Sequence, residues 1–572
     1  MKLGSAASPG IGLGKVLVIK NEELKIENLS IDDASVEINK LEEAIEISKQ
    51  QLELIRDKAF TEFGIDKAEI FEAHLMLLKD PEVKKRTVSK ITSDLSNAAS
   101  AYHQVIEEFI LIFESMDNEY MRERAADIKD VSDRVLRNML NVSIVDLSIL
   151  SEEVILVADD LTPSQTATMD KSKVIGFLTD IGGRTSHSAI MARSLEIPAV
   201  VGLKDITKSV VSGDIVAFDG DTGVVTINPS NETILNYEKQ KEEQIQKKKA
   251  LESIIGQASV TRDGVKVEIA GNIGTPNDIA GLLKNDAEGV GLYRTEFIYM
   301  DRETLPTEEE QYESYKKVLE AMNSKPVVIR TLDIGGDKEV SYLKFEHEMN
   351  PFLGYRAIRL CLDRTDIFKT QLRALLRASV YGNLKIMFPM ISSLEELLDA
   401  KEMLEVCKEE LTKEGIEYSN TFEVGMMIEV PSAAIISDIL AKHVDFFSIG
   451  TNDLIQYTCA VDRMNQQISN LYNPFNPGVL RLIKMVIDNG HKEGLWVGMC
   501  GETAGDPRII PILIGFGLDE FSMSPISILK ARKLIRSLDA SEMKLIADKV
   551  IQMGRADDIE AYVTESFSSI EN

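Results

Sequence analysis

VIGFLTDIGGRTSHSAIMAR, residues 174–193, reads as a buried strand, a glycine turn and the beginning of a helix. Its apolar opening is short enough for a strand, and the paired glycines allow a tight turn. Thr185 or Ser186 can cap the helix that follows, which places His187 in the first helical turn. A strand followed directly by a helix predicts an α/β domain around this histidine.

The predicted position of His187 has chemical consequences. Free backbone N–H groups and the positive end of the helix dipole are concentrated in a first helical turn. This field disfavours an imidazolium, so we expect a neutral ring that can act as a nucleophile. A phosphoryl group on the ring would face N–H donors and either Arg184 or Arg193. A structural histidine beside a helix cap is the alternative that this motif leaves open.

Composition limits the classes of function. The chain has 572 residues, which is enough for three or four domains, and a net charge of −29. Such an acidic protein is not expected to bind nucleic acid or anionic membranes in general. Its first twenty residues lack a long apolar core, and no later stretch approaches a membrane span, so we expect a cytoplasmic protein. The four cysteines are too widely spaced to predict a disulfide scaffold or a zinc site.

Hydrophobic periodicity divides the chain into four parts. Residues 1–22 read as glycine-rich turns and one short strand, and strands return in residues 143–230, which predicts a single discontinuous α/β domain. Residues 23–142 have helical periodicity and are predicted to form a helical bundle inserted into that domain. Residues 231–257 are rich in Lys, Glu and Gln and predict a solvated helical linker between mobile parts, ahead of residues 258–572.

The last part of the chain carries the clearest architectural pattern. Eight short apolar runs alternate with helical patterns or long loops, which predicts a (β/α)₈ TIM barrel. The runs are Val265–Ala270, Gly289–Leu292, Val327–Arg330, Leu384–Phe388, Val424–Ile428, Phe446–Ile449, Leu495–Gly498 and Glu520–Met523.

Polar residues follow several of these runs, at the barrel end where active sites lie. Arginines bind phosphate and carboxylate groups with two parallel hydrogen bonds. Two carboxylates without a neighbouring His or Cys cluster suit a hard cation such as Mg²⁺. The set predicts a pocket for a small phosphate–carboxylate compound, although surface ion pairing explains many single acids of this kind. Its members are Arg294, Arg330, Glu429, Asn452, Asp453 and Arg463.

Cys500 allows two interpretations. A free cysteine beside an apolar run is usually a small core residue. However, its place at a strand end before Gly501 and Glu502 points to the mouth of the pocket. A thiol there could donate a proton to a carbanion or an enolate.

Taken together, these motifs resemble a known family over essentially the whole chain. The chain is similar to enzyme I of the bacterial phosphoenolpyruvate:sugar phosphotransferase system, and the order and spacing of the motifs fit throughout. The stretches that carry the resemblance are Gly182–His187, Ile190–Arg193, Gly289–Glu296, Arg330–Lys338, Met427–Pro431, Ser448–Leu454 and Gly498–Glu502.

The resemblance implies a role for each candidate residue. His187 would take the phosphoryl group of phosphoenolpyruvate on Nε2, and Cys500 would protonate the remaining enolate to give pyruvate. Mg²⁺ would be held by Glu429 and Asp453, of which Asp453 also belongs to the substrate site. The other substrate-binding residues would be Arg294, Arg330, Asn452 and Arg463.

The resemblance also implies partners. The α/β domain around His187 would be a swivelling phosphohistidine domain that passes the phosphoryl group to a histidine of the carrier protein HPr. This transfer is the first step of sugar uptake by the system. HPr would dock on the helical bundle of residues 23–142, which includes Tyr120–Asp127. The barrel would form a homodimer.

Two other functions are considered. A pyruvate phosphate dikinase or phosphoenolpyruvate synthase shares the phosphohistidine and barrel units, but carries a nucleotide-binding domain ahead of the histidine. Only about 180 residues precede His187, which leaves no room for such a domain beside a bundle. A catalytically silent regulator of the system is the second alternative, and the intact set of candidate residues argues against it.

Overall fold

The computed structural model describes residues 1–19, 24–63, 65–114, 119–142, 147, 150, 152–161, 165, 169–170, 172–183, 186–195, 197–300, 302–336, 340, 342–343, 348–465 and 467–568. Side chains are described for all of these except residues 58–63, 65–70, 114, 119–124, 126, 187, 190–191, 194, 248 and 567–568. The chain forms two compact units, Met1–Lys247 and Lys248–Asn572.

The first unit contains an eight-stranded sheet in the order β1-β8-β7-β3-β4-β5-β6-β2. The central strand β3 pairs in parallel with β4 and antiparallel with β7, so the N-terminal segment joins strands from much later in the sequence. The strands are β1 Lys2–Leu3, β2 Ser5–Ser8, β3 Ile11–Ile19, β4 Val154–Ala158, β5 Val174–Thr179, β6 Ala199–Val201, β7 Ile215–Asp219 and β8 Val224–Ile227.

The prediction for the N-terminal segment was wrong in one respect. Residues expected to form glycine-rich turns belong to β1, β2 and the first half of β3. The glycines of β3 are required by close packing, because a Cβ on Gly12 would lie 2.1 Å from the Phe218 ring, and one on Gly14 would lie 2.6 Å from Ile175. These glycines leave space for large neighbouring side chains within the sheet. The prediction was wrong because it treated glycine only as a turn residue.

Five long helices lie between β3 and β4 in the sequence and share one apolar core. Leu41, Leu52, Ile91 and Val135 are fully buried in it. Pro81 begins one of these helices, whose first turn is capped by Asp80 through the N–H of Glu82 at 2.8 Å. The helices are Ala34–Phe63, Ile65–Leu78, Pro81–Asp94, Ala98–Glu114 and Glu119–Leu140, and the unit also contains His187–Leu195, Ile206–Ser209 and most of Asn231–Glu252.

The second unit is built on a closed parallel barrel in the order β9 to β16, as predicted. Each of the eight apolar runs forms a strand. The first strand begins later than expected, because Thr261 and Val265 bond to each other across a tight turn. The strands are β9 Glu268–Ile273, β10 Val290–Arg294, β11 Pro326–Arg330, β12 Asn383–Phe388, β13 Glu423–Ile428, β14 Phe446–Ile449, β15 Trp496–Met499 and β16 Glu520–Met523.

Alternate residues of each barrel strand face opposite sides, and this alternation builds two apolar clusters. Outward residues such as Phe447 and Val497 pack in the large cluster with the surrounding helices. A separate, smaller cluster contains Met427, Phe446 and Cys500. Interdigitated side chains fill the interior of a TIM barrel in layers, so polar atoms reach substrate only at its ends.

Helices surround the barrel and follow its strands. None of the described helices in the chain is long and apolar enough to cross a membrane. The helices of the second unit are Ile279–Lys284, Glu308–Met322, Ala357–Asp363, Thr365–Ala378, Leu394–Glu414, Pro431–Ile435, Ser437–Leu440, Thr451–Cys459, Pro477–Lys492, Ile510–Phe516, Pro525–Ser537, Ala540–Val550 and Ala556–Ser568.

Candidate active site

A cavity of about 540 Å³ opens where the barrel strands end. Each contributing side chain lies at a strand end or in the loop or helix that follows, so the closure of the barrel brings together residues that are far apart in the sequence. The seven predicted barrel residues all line this cavity: Arg294, Arg330, Glu429, Asn452, Asp453, Arg463 and Cys500.

Arg330 is the last residue of β11 and is 6% exposed. Its Nη2 lies 2.8 Å from Glu296 Oε1 and 3.0 Å from Asp333 Oδ2. Burial acts to lower the pKa of this guanidinium, but the carboxylates of Asp333, Glu296 and Glu429 outweigh it and raise the pKa. Arg330 therefore stays charged in the cavity wall, with its orientation fixed by two acids.

A second buried arginine, Arg356, also lines the cavity and was not predicted. Its Nη2 donates to Asp333 Oδ1 at 2.8 Å and lies 3.7 Å from Asp453, while its Nη1 donates to the Tyr457 hydroxyl at 3.2 Å. Arg356 precedes the helix Ala357–Asp363, far from any strand end. The sequence offered no clear signal for it, because Gly335 and Gly336, whose positive φ and lack of a Cβ allow the close approach of Arg356, are distant from it along the chain.

Two acids face each other across the cavity. Glu429 is 2% exposed, and its Oε1 accepts the N–H of Met390 at 2.6 Å. Burial raises the pKa of Glu429 to about 8, and the negative charges of Asp453 and Asp333 add to the shift. Asp453 lies in the first turn of the helix Thr451–Cys459, and its Oδ1 accepts no hydrogen bond from the described residues.

These acids were tested as ligands for a cation. Arg330 and Arg356 offset only part of the crowding of Glu429, Asp453 and Asp333, since the pKa of Glu429 is still raised, and Asp453 Oδ1 has spare acceptor capacity. Among the described residues, no three His, Cys, Asp or Glu side chains are grouped to hold an ion by themselves. Two carboxylates fit a hard cation that takes its remaining ligands from water and substrate oxygens.

Cys500 lies directly after β15 and is 2% exposed. Burial raises the pKa of its thiol to about 12, and Sγ lies 3.9 Å from the carbonyl of Ile449. The sulfur therefore carries its proton at neutral pH while its residue lines the cavity. This placement favours the proton-donor interpretation over a purely packing role.

The remaining predicted residues lie closer to solvent. The Arg463 side chain is 25% exposed, and its Nη1 lies 3.9 Å from Asp453 Oδ1. Asn452 Oδ1 accepts the N–H of Glu502 at 3.4 Å, and Arg294 ends β10. The cavity thus combines two buried arginines held by acids, Arg330 and Arg356, with two that are less enclosed, Arg294 and Arg463.

The structure places His187 at the first position of the helix His187–Leu195 in the other unit. Its side chain lies outside the described set, as do Arg184 and Thr185. The expected cap is formed by Ser186, whose Oγ accepts the N–H of Ala189 at 3.4 Å. Arg193 is exposed, and its Nη1 donates to the carbonyl of Ala7 at 2.9 Å.

Three protein-family models match the chain. They are described as the N-terminal part of PEP-utilising enzymes over residues 3–124, their mobile domain over residues 150–223 and their PEP-binding domain over residues 248–540. The last of these covers every barrel residue named in the cavity.

Curated relatives match over nearly the full length. The phosphoenolpyruvate-protein phosphotransferase of Priestia megaterium is 56% identical over 99% of this chain and 98% of that protein. The protein of the same name from Staphylococcus carnosus is 55% identical over 98% of both chains. The one from Bacillus subtilis is 55% identical over 99% of both chains.

Proposed function

This chain belongs to the phosphoenolpyruvate-protein phosphotransferase family, and from that premise we propose that His187 is its phosphorylated residue. The phosphoryl group comes from phosphoenolpyruvate bound in the barrel cavity, and pyruvate is released. The observation that carries the proposal is the convergence of four arginines and two acids on one cavity of the barrel.

The substrate carries a phosphate and a carboxylate, which both need fixed positive charge. Arg330 and Arg356 are held in place by Asp333, so their charge is already oriented when substrate arrives. Arg294 and Arg463 are less enclosed and bind the outer oxygens of the substrate. Asn452 completes the polar wall, because its amide donates to oxygens that the guanidinium groups leave unpaired.

Glu429 and Asp453 would hold Mg²⁺. The support is the spare acceptor capacity of Asp453 and the unfavourable crowding of carboxylates around Glu429. When bound, the ion would neutralise charge on the phosphate and so supplement the arginines. Glu429 is positioned for this role by the N–H of Met390.

In the reaction, the neutral His187 ring attacks phosphorus. The new N–P bond forms as the bond between phosphorus and the enol oxygen breaks, which leaves the enolate of pyruvate. Cys500 gives its thiol proton to the enolate carbon, since burial keeps the thiol protonated at neutral pH. Transfer requires His187 and the cavity to approach each other, and the segment 231–257 is proposed to permit this motion.

Delivery of the phosphoryl group completes the proposal. The recipient is a histidine of HPr, which docks on the helical bundle of residues 23–142, and the pathway served is sugar uptake. Tyr120–Asp127 would contribute to this docking face, although the side chains of 120–124 and of 126 lie outside the described set. The barrel is proposed to form a homodimer.

A relay assay tests the function. Wild type and His187→Ala are incubated with radiolabelled phosphoenolpyruvate, Mg²⁺ and purified HPr. The proposal predicts label on HPr only with wild type, and an acid-labile, base-stable label on the enzyme. Equal transfer by His187→Ala contradicts the proposal, and labelling from ATP would instead support a dikinase.

A further inference from the structure

A second cavity, here called the lower cavity, lies at the opposite end of the barrel, where the strands begin. It measures about 120 Å³, and its wall includes Glu268, Trp496 and Glu520, the first residues of β9, β15 and β16. Lys385 of β12 and Asp519 also line it. A polar cavity of this size admits a small ion together with some water molecules. The function proposed above makes no use of this end of the barrel.

The carboxyl group of Glu520 is enclosed in the barrel wall, since the residue is 4% exposed. A Cβ on Gly291 would lie 1.9 Å from its Oε1, and a Cβ on Gly498 would lie 2.1 Å from its Oε2. Two glycines therefore leave the space that this carboxyl group occupies. Oε1 is buried and accepts no hydrogen bond from the described residues. A buried acceptor without a donor is destabilising, so a group that donates to it from the cavity would be favourable.

A second acid, Glu268, stands beside the first, because β9 and β16 are parallel neighbours that pair Glu268 with Glu520. The Glu268 side chain accepts no hydrogen bond from the described residues either. Burial raises the pKa of Glu268 to about 7. Burial also raises the pKa of Glu520 well above its ordinary range, and the Glu268 carboxylate adds to that shift. The ionised forms of the two acids therefore lack sufficient positive charge around them.

The donors that line the lower cavity are directed to another acid. Lys385 Nζ donates to Glu423 Oε2 at 2.8 Å, and Trp496 Nε1 donates to the same oxygen at 2.7 Å. No donor among the described residues reaches the Glu268 carboxyl group or Glu520 Oε1. The cavity thus presents acceptor oxygens from two acids and lacks the donors to match them.

These observations define the chemistry of a ligand. Asp519, the third acid of the wall, lies 2.8 Å from His491 Nε2, and no three His, Cys, Asp or Glu side chains of the described residues are grouped to hold a metal ion. No substrate supplies oxygens at this end to complete the coordination of a divalent metal, and the Lys385 ammonium group opposes a double charge beside it. A singly charged cation with N–H groups satisfies both requirements, since carboxylates only accept hydrogen bonds.

We propose that the lower cavity binds a small ammonium cation, either the free ion or a short primary amine, between Glu268 and Glu520. Its N–H groups donate to Glu520 Oε1 and to the Glu268 carboxylate. Its positive charge takes the place of the protons that these acids otherwise retain.

The position of the site links binding to the stability of the barrel. β9 is the first strand of the barrel and β16 is the last, and their pairing closes it. A cation between Glu268 and Glu520 therefore bridges the two strands at the point of closure. A ligand that binds only the folded barrel stabilises it increasingly as the ligand concentration rises.

Thermal unfolding of the full chain at pH 8 in EDTA tests the proposal, with ammonium chloride replacing sodium chloride at constant ionic strength. We expect the melting temperature of the barrel to rise with ammonium and to stay constant with potassium or tetramethylammonium, which carry the charge without N–H donors. A rise with methylammonium as well would identify a primary amine as a second source. Broadening of the proton signal of ¹⁵N-ammonium by the protein detects the bound ion. An equal rise with potassium, or no broadening, overturns the proposal.

Variants locate the site. Glu520→Gln keeps the volume but loses a charged acceptor, so its ammonium affinity should fall about ten-fold or more. Glu268→Lys places a tethered ammonium group beside Glu520, and its melting temperature should no longer depend on ammonium. Glu288→Gln is the matched control at the same end of the barrel, because Glu288 Oε2 already accepts the N–H of Ile269 at 2.7 Å. If Glu520→Gln responds to ammonium as Glu288→Gln and wild type do, the cation binds elsewhere and the proposal is wrong.

Discussion

Asp333 and Arg356 form an ion pair of 2.8 Å at the mouth of the barrel, with side chains only 1% and 2% exposed. The other oxygen of Asp333 lies 3.0 Å from Arg330. One carboxylate thus orients two guanidinium groups toward a single cavity. Fixed donors of this kind stabilise transferred phosphate charge without reorganisation during the reaction.

Removing Arg356 should therefore weaken both the barrel and the site. Arg356→Met leaves Asp333 buried with a lost partner, and we expect a loss of about 3–5 kcal/mol in the free energy of unfolding of the barrel. Arg356→Lys keeps the charge without the two-pronged geometry, so its KM for phosphoenolpyruvate should rise while stability falls less. Guanidinium denaturation and steady-state kinetics measure the two effects.

A matched arginine supplies the control for that pair. Arg364 has a side chain 42% exposed and pairs with Asp366 at the surface. Arg364→Met should change stability by about 1 kcal/mol or less. A similar loss in the free energy of unfolding for Arg356→Met and Arg364→Met would contradict the importance of the buried Asp333–Arg356 pair.

Glu429→Gln tests the proposed cation site. The amide keeps the size and one acceptor oxygen but loses the charge, and we expect Mg²⁺ affinity to fall on the order of 10–100-fold. Calorimetric titration of the metal into the protein measures this directly. As a control, Glu402→Gln on an outer helix should bind Mg²⁺ with the affinity of wild type. If Glu429→Gln also binds Mg²⁺ with wild-type affinity, Glu429 is not a ligand.

The same acid predicts a pH dependence of stability without metal. Burial, together with Asp453 and Asp333, raises the pKa of folded Glu429 to about 8, above its ordinary value of 4.5. The folded state then binds more protons than the unfolded state between these values, so stability contributed by Glu429 falls as pH rises from about 4.5 to 8. Thermal unfolding in EDTA should show a larger fall in wild type than in Glu429→Gln, which keeps only the fall due to other buried acids with raised pKa values, such as Glu268 and Glu520.

Gly291 gives a prediction for the barrel interior. A methyl group there would stand 1.9 Å from Glu520 Oε1 and 2.5 Å from Ser522 Oγ, so we expect Gly291→Ala to destabilise the barrel by about 1–3 kcal/mol. Gly554→Ala meets nothing within 4 Å and should be neutral or slightly stabilising. Equal melting temperatures for the two variants would show that the interior tolerates more volume than these distances allow.

The sequence predicts the barrel well because its parallel strands are buried on both sides and read as continuous apolar runs. It predicts the strand-end residues for the same reason, since topology brings those ends together. Arg356 was not predicted because it lies between a long loop and a helix, where hydrophobic periodicity gives no sign of a strand end. The start of β9 was placed too early because the apolar Val265 belongs to a turn closed by Thr261.

The central claim is that phosphoenolpyruvate phosphorylates His187. The most direct measurement is mass-spectrometric mapping of the phosphoryl group, at alkaline pH, after incubation of the protein with phosphoenolpyruvate and Mg²⁺. The account predicts the modification on the peptide that contains His187 and on none of the peptides containing the other five histidines, His74, His103, His347, His443 and His491. Modification of a different residue, with an unmodified His187 peptide, would contradict it.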